Sequence, residues 1–248
     1  MNEDIKLYVV THKESQYLPK DRTFIGVGNN KDISNVHIYD NQGENIADKN
    51  SSFCELTALY WMWKNDSSTI VGLEHYRRFF CTKHCIFKPR PIQLKKIKAI
   101  LSKYDCIVSQ NYIFREGIYT YYRKNHIIED LDLCREVIEE KTPEYLPSFD
   151  EVIHGKKAVM CNMFIMSKSL LNDYCDWLFS ILFEVEKKIS ISERDNYQKR
   201  VYGFLSERLF NVWLYNKKLK MYHLPIYMPD EKPWLIKIKN LIKKLIRR

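Results

Sequence analysis

The chain has 248 residues, 45% of them apolar and 14% aromatic, and a formal net charge of +9. With 7 glycines, 8 prolines and no Ser/Pro-rich linker, it is excluded from the collagen-like, disordered and disulfide-scaffold classes and reads as one domain. The last 17 residues carry seven basic side chains and no acidic one, which leaves only +2 on the other 231.

Ile5-Lys6-Leu7-Tyr8-Val9-Val10-Thr11 is β-rich and ends in polar residues, which predicts a buried first strand opening onto a loop. A Gly/Asn/Asp-rich loop follows over 26–50, with one short strand at 36–39. Ser52 and Glu55 fit a capping box for a helix carrying Leu56, Leu59, Tyr60 and Trp63. An apolar strand at 69–73 runs into Glu74-His75-Tyr76-Arg77-Arg78. Pro91 starts a helix with Leu94, Ile97, Ile100 and Leu101, and a strand at 106–108 comes next. A helix over 127–139, a strand over 159–166 and a strongly striped helix over 169–187 follow. A last helix over 199–215 leads to a strand at 219–224. Strands alternating with helices predict an α/β domain with a mostly parallel central sheet, whose ligands sit beyond the carboxyl ends of the strands.

The start, Met1-Asn2-Glu3-Asp4, is acidic and lacks a signal-peptide pattern, and no apolar run approaches the roughly 20 residues of a membrane span. The seven cysteines are odd in number and several lie in apolar runs, so a cytosolic chain with reduced thiols is expected.

Glu74, His75, Arg77 and Arg78 should project from a strand end, and two adjacent guanidiniums suit a diphosphate. The amide-rich stretch over 40–50 suits hydroxyl recognition and ends at a helix N-terminus. Cys81-x-x-His84-Cys85 has no second ligand pair, so zinc is disfavoured. Motifs of P-loop NTPases, typical dinucleotide binders, serine hydrolases and zincins are missing. Glu207 and Arg208 interrupt an apolar helix face; their spacing favours an ordinary exposed ion pair, while a carboxylate held near apolar walls would have a raised pKa and act as a general base. Residues 232–248 wind into a helix with Trp234, Leu235, Ile238, Leu241, Ile242 and Leu245 on one face and lysines opposite, the make-up of a helix lying on an anionic bilayer. The chain therefore divides into a domain at 1–231 and a basic amphipathic tail at 232–248.

Three blocks, Glu44-Asn45-Ile46-Ala47-Asp48-Lys49-Asn50, the stretch from Cys54 to Asn65, and Val71-Gly72-Leu73-Glu74-His75-Tyr76-Arg77-Arg78-Phe79, resemble a bacterial family of capsular and exopolysaccharide-synthesis glycosyltransferases. That family was long catalogued as a domain of unknown function. Asn162-Met163-Phe164-Ile165-Met166, Tyr174-Cys175-Asp176-Trp177-Leu178-Phe179 and Gly203-Phe204-Leu205-Ser206-Glu207-Arg208-Leu209 match it too, so the likeness spans about 5–225. It implies a nucleotide-sugar-binding fold of the GT-A type and transfer of a hexose, galactofuranose in some relatives, from a UDP-sugar. The implied acceptor is a lipid-linked oligosaccharide at the cytoplasmic face of the membrane, with the tail holding the enzyme there. On this likeness Thr11, His12, Asn45, Lys49, Asn50, His75, Arg77 and Arg78 bind donor, and Asn162, Met163 and Arg208 face acceptor. Glu207 is the first candidate base and Glu74 the second. GT-A enzymes usually hold Mn or Mg on an Asp-x-Asp. Asp130-Leu131-Asp132 has the letters but falls inside a predicted helix, which leaves metal dependence open and gives the leaving diphosphate to Arg77 and Arg78. The rival readings are a non-catalytic scaffold or polyanion-binding protein, and a nucleic-acid-binding module, against which the near-neutral body argues.

Overall fold

The unbroken apolar run from Leu7 to Val10 leaves no polar face, as expected of a strand covered on both sides. The computed structural model describes residues 4–28, 32–82 and 90–230. The tail at 232–248, and His84 and Cys85 of the cysteine cluster, lie outside the described residues. The strands are β1 (Ile5–Thr11), β2 (Thr23–Gly26), β3 (Ile38–Tyr39), β4 (Ile70–His75), β5 (Phe79–Phe80), β6 (Cys106–Ser109), β7 (Tyr112–Ile113), β8 (Lys157–Ala158), β9 (Phe164–Ser167), β10 (Met221–Leu224) and β11 (Ile226–Tyr227). The helices are α1 (Asn50–Phe53), α2 (Leu56–Asn65), α3 (Leu94–Leu101), α4 (Ile118–Asn125), α5 (Ile128–Lys141), α6 (Leu146–His154), α7 (Lys168–Lys188) and α8 (Val201–Asn216).

Seven strands form one sheet in the order β10-β6-β9-β4-β1-β2-β3. It is mixed but mostly parallel, because β9 alone runs against its neighbours β4 and β6. Strand alternation sends successive residues to opposite faces. Tyr8, Val10, Val71 and Leu73 therefore join the larger core under α2, α5, α7 and α8, while Leu7 and Ile70 pack with Phe80, Ile92 and Ile97 of the α3 side. Gly72 sits where the strands crowd, since a Cβ there would lie 2.7 Å from Leu7 Cδ2 and 2.9 Å from Ile165 Cγ1. No helix among the described residues is long and apolar enough to cross a membrane.

Most predicted elements are present, and two of the departures are backbone irregularities at Cys54 and at Cys161-Asn162. The expected capping box does not form: Ser52 lies inside α1, where its hydroxyl donates to Lys49 O at 3.3 Å. A break at Cys54, with φ 54°, then separates α1 from α2. Of the strand expected over 159–166 only the end, from Phe164, forms as β9, because Cys161 (φ 76°) and Asn162 (φ 47°) turn the chain just before it. Strands β2, β5, β7, β8 and β11 and helices α4 and α6 are additions to the predicted set. Pro91 bridges to Cys81 rather than opening α3.

Candidate functional site

From β1 the chain moves outward to β2 and β3 and then returns to β4 on the other side of β1. The carboxyl ends of β1 and β4 are thus the switch point at which α/β sheets bind ligands, and a cavity of about 570 Å³ opens there. Val10, Thr11 and His12 reach it from β1, and His75, Tyr76, Arg77 and Arg78 from β4. Asn50, Cys54 and Glu55 come from the α1–α2 break, Cys161 from the turn before β9, and Glu207 from α8. Asn196, Lys199 and Arg200 complete the wall from the segment leading into α8. Helix α8 packs against the break at Gly203, where a Cβ would lie 3.4 Å from Cys54 Sγ.

Two backbone irregularities are pinned by side chains. Asn50 Nδ2 donates to Cys54 O at 2.8 Å, which holds the break and turns Glu55 into the cavity. At the second, Cys161 N–H donates to Glu207 Oε1 at 2.9 Å, and Asn162 Nδ2 donates to both Glu55 Oε1 and Ser206 Oγ at 2.8 Å. His75 Nε2 lies 2.6 Å from Cys161 O. Burial pushes the His75 ring down to about 4, so the ring is neutral and Nε2 carries the hydrogen that the carbonyl accepts.

The cavity mixes charges. Arg77, Arg78, Lys199 and Arg200 supply fixed positive charge around Glu55 and Glu207. Burial pushes both carboxyls above their ordinary range; Arg208 opposes this at Glu207, and the Asn162 hydrogen bond opposes it at Glu55. Burial and the nearby Lys13, Arg77 and Arg200 lower the His12 pKa. Burial also raises the Cys54 thiol and pushes Cys161 up to about 11, so neither sulfur is a nucleophile near neutral pH.

Of the residues expected to bind donor, the structure gathers Thr11, His12, Asn50, His75, Arg77 and Arg78, together with the expected base Glu207. Others lie elsewhere. Glu74 is one residue from His75 and so points to the opposite face, where its side chain, 0% exposed, pairs with Arg22 at 2.5 Å and accepts from Phe80 N at 2.7 Å. Contrary to expectation, Glu74 is therefore not placed to act as a base in the cavity. Asn45 is spent on a local turn, accepting from Ala47 N and donating to Gly43 O. Lys49 pairs with Glu186 at 2.7 Å. Met163 is packed in the α3-side core. Asn162 and Arg208, 3% exposed each, stand behind the cavity wall, with Arg208 on Glu207 at 3.0 Å and over the Tyr122 ring. Glu55, Lys199, Arg200 and Cys161 are members the sequence reasoning missed. In sequence Glu55 reads as part of a capping box, and the basic pair Lys199-Arg200 before α8 is the signal that marks this wall.

The model of one family, a domain of unknown function (DUF4422), matches residues 6–218. The chain belongs to the DUF4422 family. The DUF4422 chain is also similar to a solved structure described as the WbbM bifunctional glycosyltransferase in its apo form, at 27% identity and a TM-score of 0.82. That likeness covers 92% of this chain and 46% of the other, so the chain spans about half the length of that protein. The α/β fold with its mostly parallel sheet is thus a glycosyltransferase fold. None of the curated proteins compared matches the DUF4422 chain.

Proposed function

We propose that this chain is a glycosyltransferase that moves a hexose from a UDP-sugar, galactofuranose being the first donor to try, to a lipid-linked oligosaccharide in surface-polysaccharide synthesis. The observation that carries this reading is the charge pattern of the switch-point cavity: Arg77, Arg78, Lys199 and Arg200 share it with two carboxylates of raised pKa. As the anomeric carbon gains oxocarbenium character, the departing diphosphate gains negative charge, and pre-set guanidinium and ammonium groups stabilise it without reorganisation. A carboxylate held above its ordinary pKa takes the acceptor proton. The likeness to half of a bifunctional glycosyltransferase supports the same reaction class.

The Asp-x-Asp letters of the chain do not form an Mn or Mg site. Among the described residues no three His, Cys, Asp or Glu side chains gather as metal ligands. Asp130-Leu131-Asp132 lies on α5, with Asp130 ion-paired to Arg194 at 2.7 Å and Asp132 accepting from Tyr119. The diphosphate is therefore assigned to the cations.

UDP-hexoses are expected to raise the melting temperature of the full chain, because ligands that bind only the folded state stabilise it by mass action. The double substitution Arg77→Ala/Arg78→Ala should remove most of that shift. No shift with any nucleotide sugar would favour the scaffold reading instead. The tail at 232–248 is proposed to hold the enzyme on the inner, anionic membrane face. Its deletion should release the protein from anionic vesicles, and unchanged co-sedimentation would refute that role.

A further inference from the structure

Two carboxylates border the cavity, and their surroundings divide the work between them. Glu207 has both oxygens engaged: Oε1 accepts from Cys161 N at 2.9 Å and Oε2 from Arg208 Nη1 at 3.0 Å. Glu55 has one engaged, since Oε1 accepts from Asn162 Nδ2 at 2.8 Å. Its Oε2 accepts no side-chain hydrogen bond among the described residues, and Glu55 lines the cavity.

The mounting of Glu55 is rigid. The helix break behind it is fixed by Asn50 on Cys54 O. The amide that holds its Oε1 is fixed in turn: Asn162 also donates to Ser206 Oγ, and the Ser206 hydroxyl donates to Gly203 O at 2.8 Å. A chain of hydrogen bonds thus runs from the α8 backbone to one oxygen of Glu55. Glu207 does the converse. It spends both oxygens on the Cys161 turn and on Arg208, and so sets the wall against which Glu55 works.

We propose that Glu55 is the catalytic base of the transfer and that Glu207 is a positioning residue. This rests on the glycosyltransferase reading above. An acceptor oxygen attacks the anomeric carbon, a new C–O bond forms, and the bond from that carbon to the diphosphate breaks. The electron pair leaves with UDP, whose charge the cavity cations meet. The acceptor proton passes to Glu55 Oε2 and then to solvent, which restores the carboxylate. This single displacement inverts the anomeric configuration. Burial, opposed by the Asn162 hydrogen bond and by Arg200 and Arg78, keeps the Glu55 carboxyl above the ordinary range, which strengthens it as a base.

The test uses the full chain and follows UDP release from UDP-hexoses, with water as the acceptor. Glu55→Gln should lower kcat about 10²- to 10⁴-fold, as expected for loss of a general base, while UDP-sugar affinity stays within about threefold. The fall of wild-type kcat at acid pH should be missing from its residual activity. Glu207→Gln keeps an oxygen for Cys161 N–H, so it should retain the acid limb and lose far less kcat. In case Glu55→Gln misfolds, Glu55→Ala supplies a second reading: added formate should restore part of its turnover, and none in Glu207→Ala. Wild-type turnover in a folded Glu55→Gln, loss of the acid limb in Glu207→Gln alone, or a glycosyl ester on Glu55 detected by mass spectrometry would overturn the assignment. Absence of UDP release from the wild type with every donor would instead bring down the glycosyltransferase reading, and this assignment with it.

Discussion

The two faces of the sheet beside β4 hold buried carboxylates in opposite circumstances. On the α3 side Glu74 is saturated: Arg22 lies at 2.5 Å, Phe80 N–H at 2.7 Å, and the Arg22 side chain also reaches Ile92 O and Asp21. On the cavity side Glu55 and Glu207 lie near Arg77, Arg78 and Arg200. Yet among the described residues only Glu207 of the two has an ion-pair partner, Arg208, while Glu55 has one side-chain hydrogen bond, from Asn162. A buried charge that is fully paired is structural, because changing its protonation would strand its partner. A carboxylate left partly unpaired in a polar cavity retains the freedom to take a proton.

That contrast is sharpest in activity. Glu55→Gln should cost at least about a hundredfold in turnover and little in stability, whereas Glu74 should act the other way. Glu74→Ala leaves the Arg22 guanidinium buried without its main partner and should lower unfolding free energy by about 3–5 kcal/mol, read from the urea midpoint. If Glu74→Ala is as stable as the wild type, the structural reading of that face is wrong.

Asp40 extends the series to a carboxylate with no cation beside it. It is 2% exposed, and burial pushes its pKa up to about 6 despite a hydrogen bond from Thr57. The unfolded chain, with an Asp pKa of about 3.9, releases this proton before the folded one does, so this group makes stability fall as pH rises from about 4 to about 6. Asp40→Asn should remove that slope and stabilise the protein near neutral pH by about 1–3 kcal/mol. Urea midpoints at pH 4 and pH 7 that shift equally in wild type and Asp40→Asn would contradict this.

How much of the site was legible follows from the same residues. The apolar strands and the Arg77-Arg78 pair announced themselves, because burial and charge are written in residue type. The opposite aim of Glu74 and His75 was latent in strand alternation. The role of Glu55 was hidden, because a Ser and a Glu three residues apart read as a capping box, whereas the chain breaks at Cys54 and frees the carboxylate.

The sequence by itself determined the alternation of strands and helices, the apolar faces that build the core, and the family to which the chain belongs. These depend on local periodicity and on motifs contiguous along the chain. Only the tertiary structure decided which carboxylate meets the cavity. Glu55, Asn162 and Glu207 are far apart in sequence, and they converge through three residues of positive φ, Cys54 and the Cys161-Asn162 pair. The first is held locally, by Asn50 of α1, but the pair is held by side chains from other elements, Glu207 and His75. Local sequence preference does not encode such contacts.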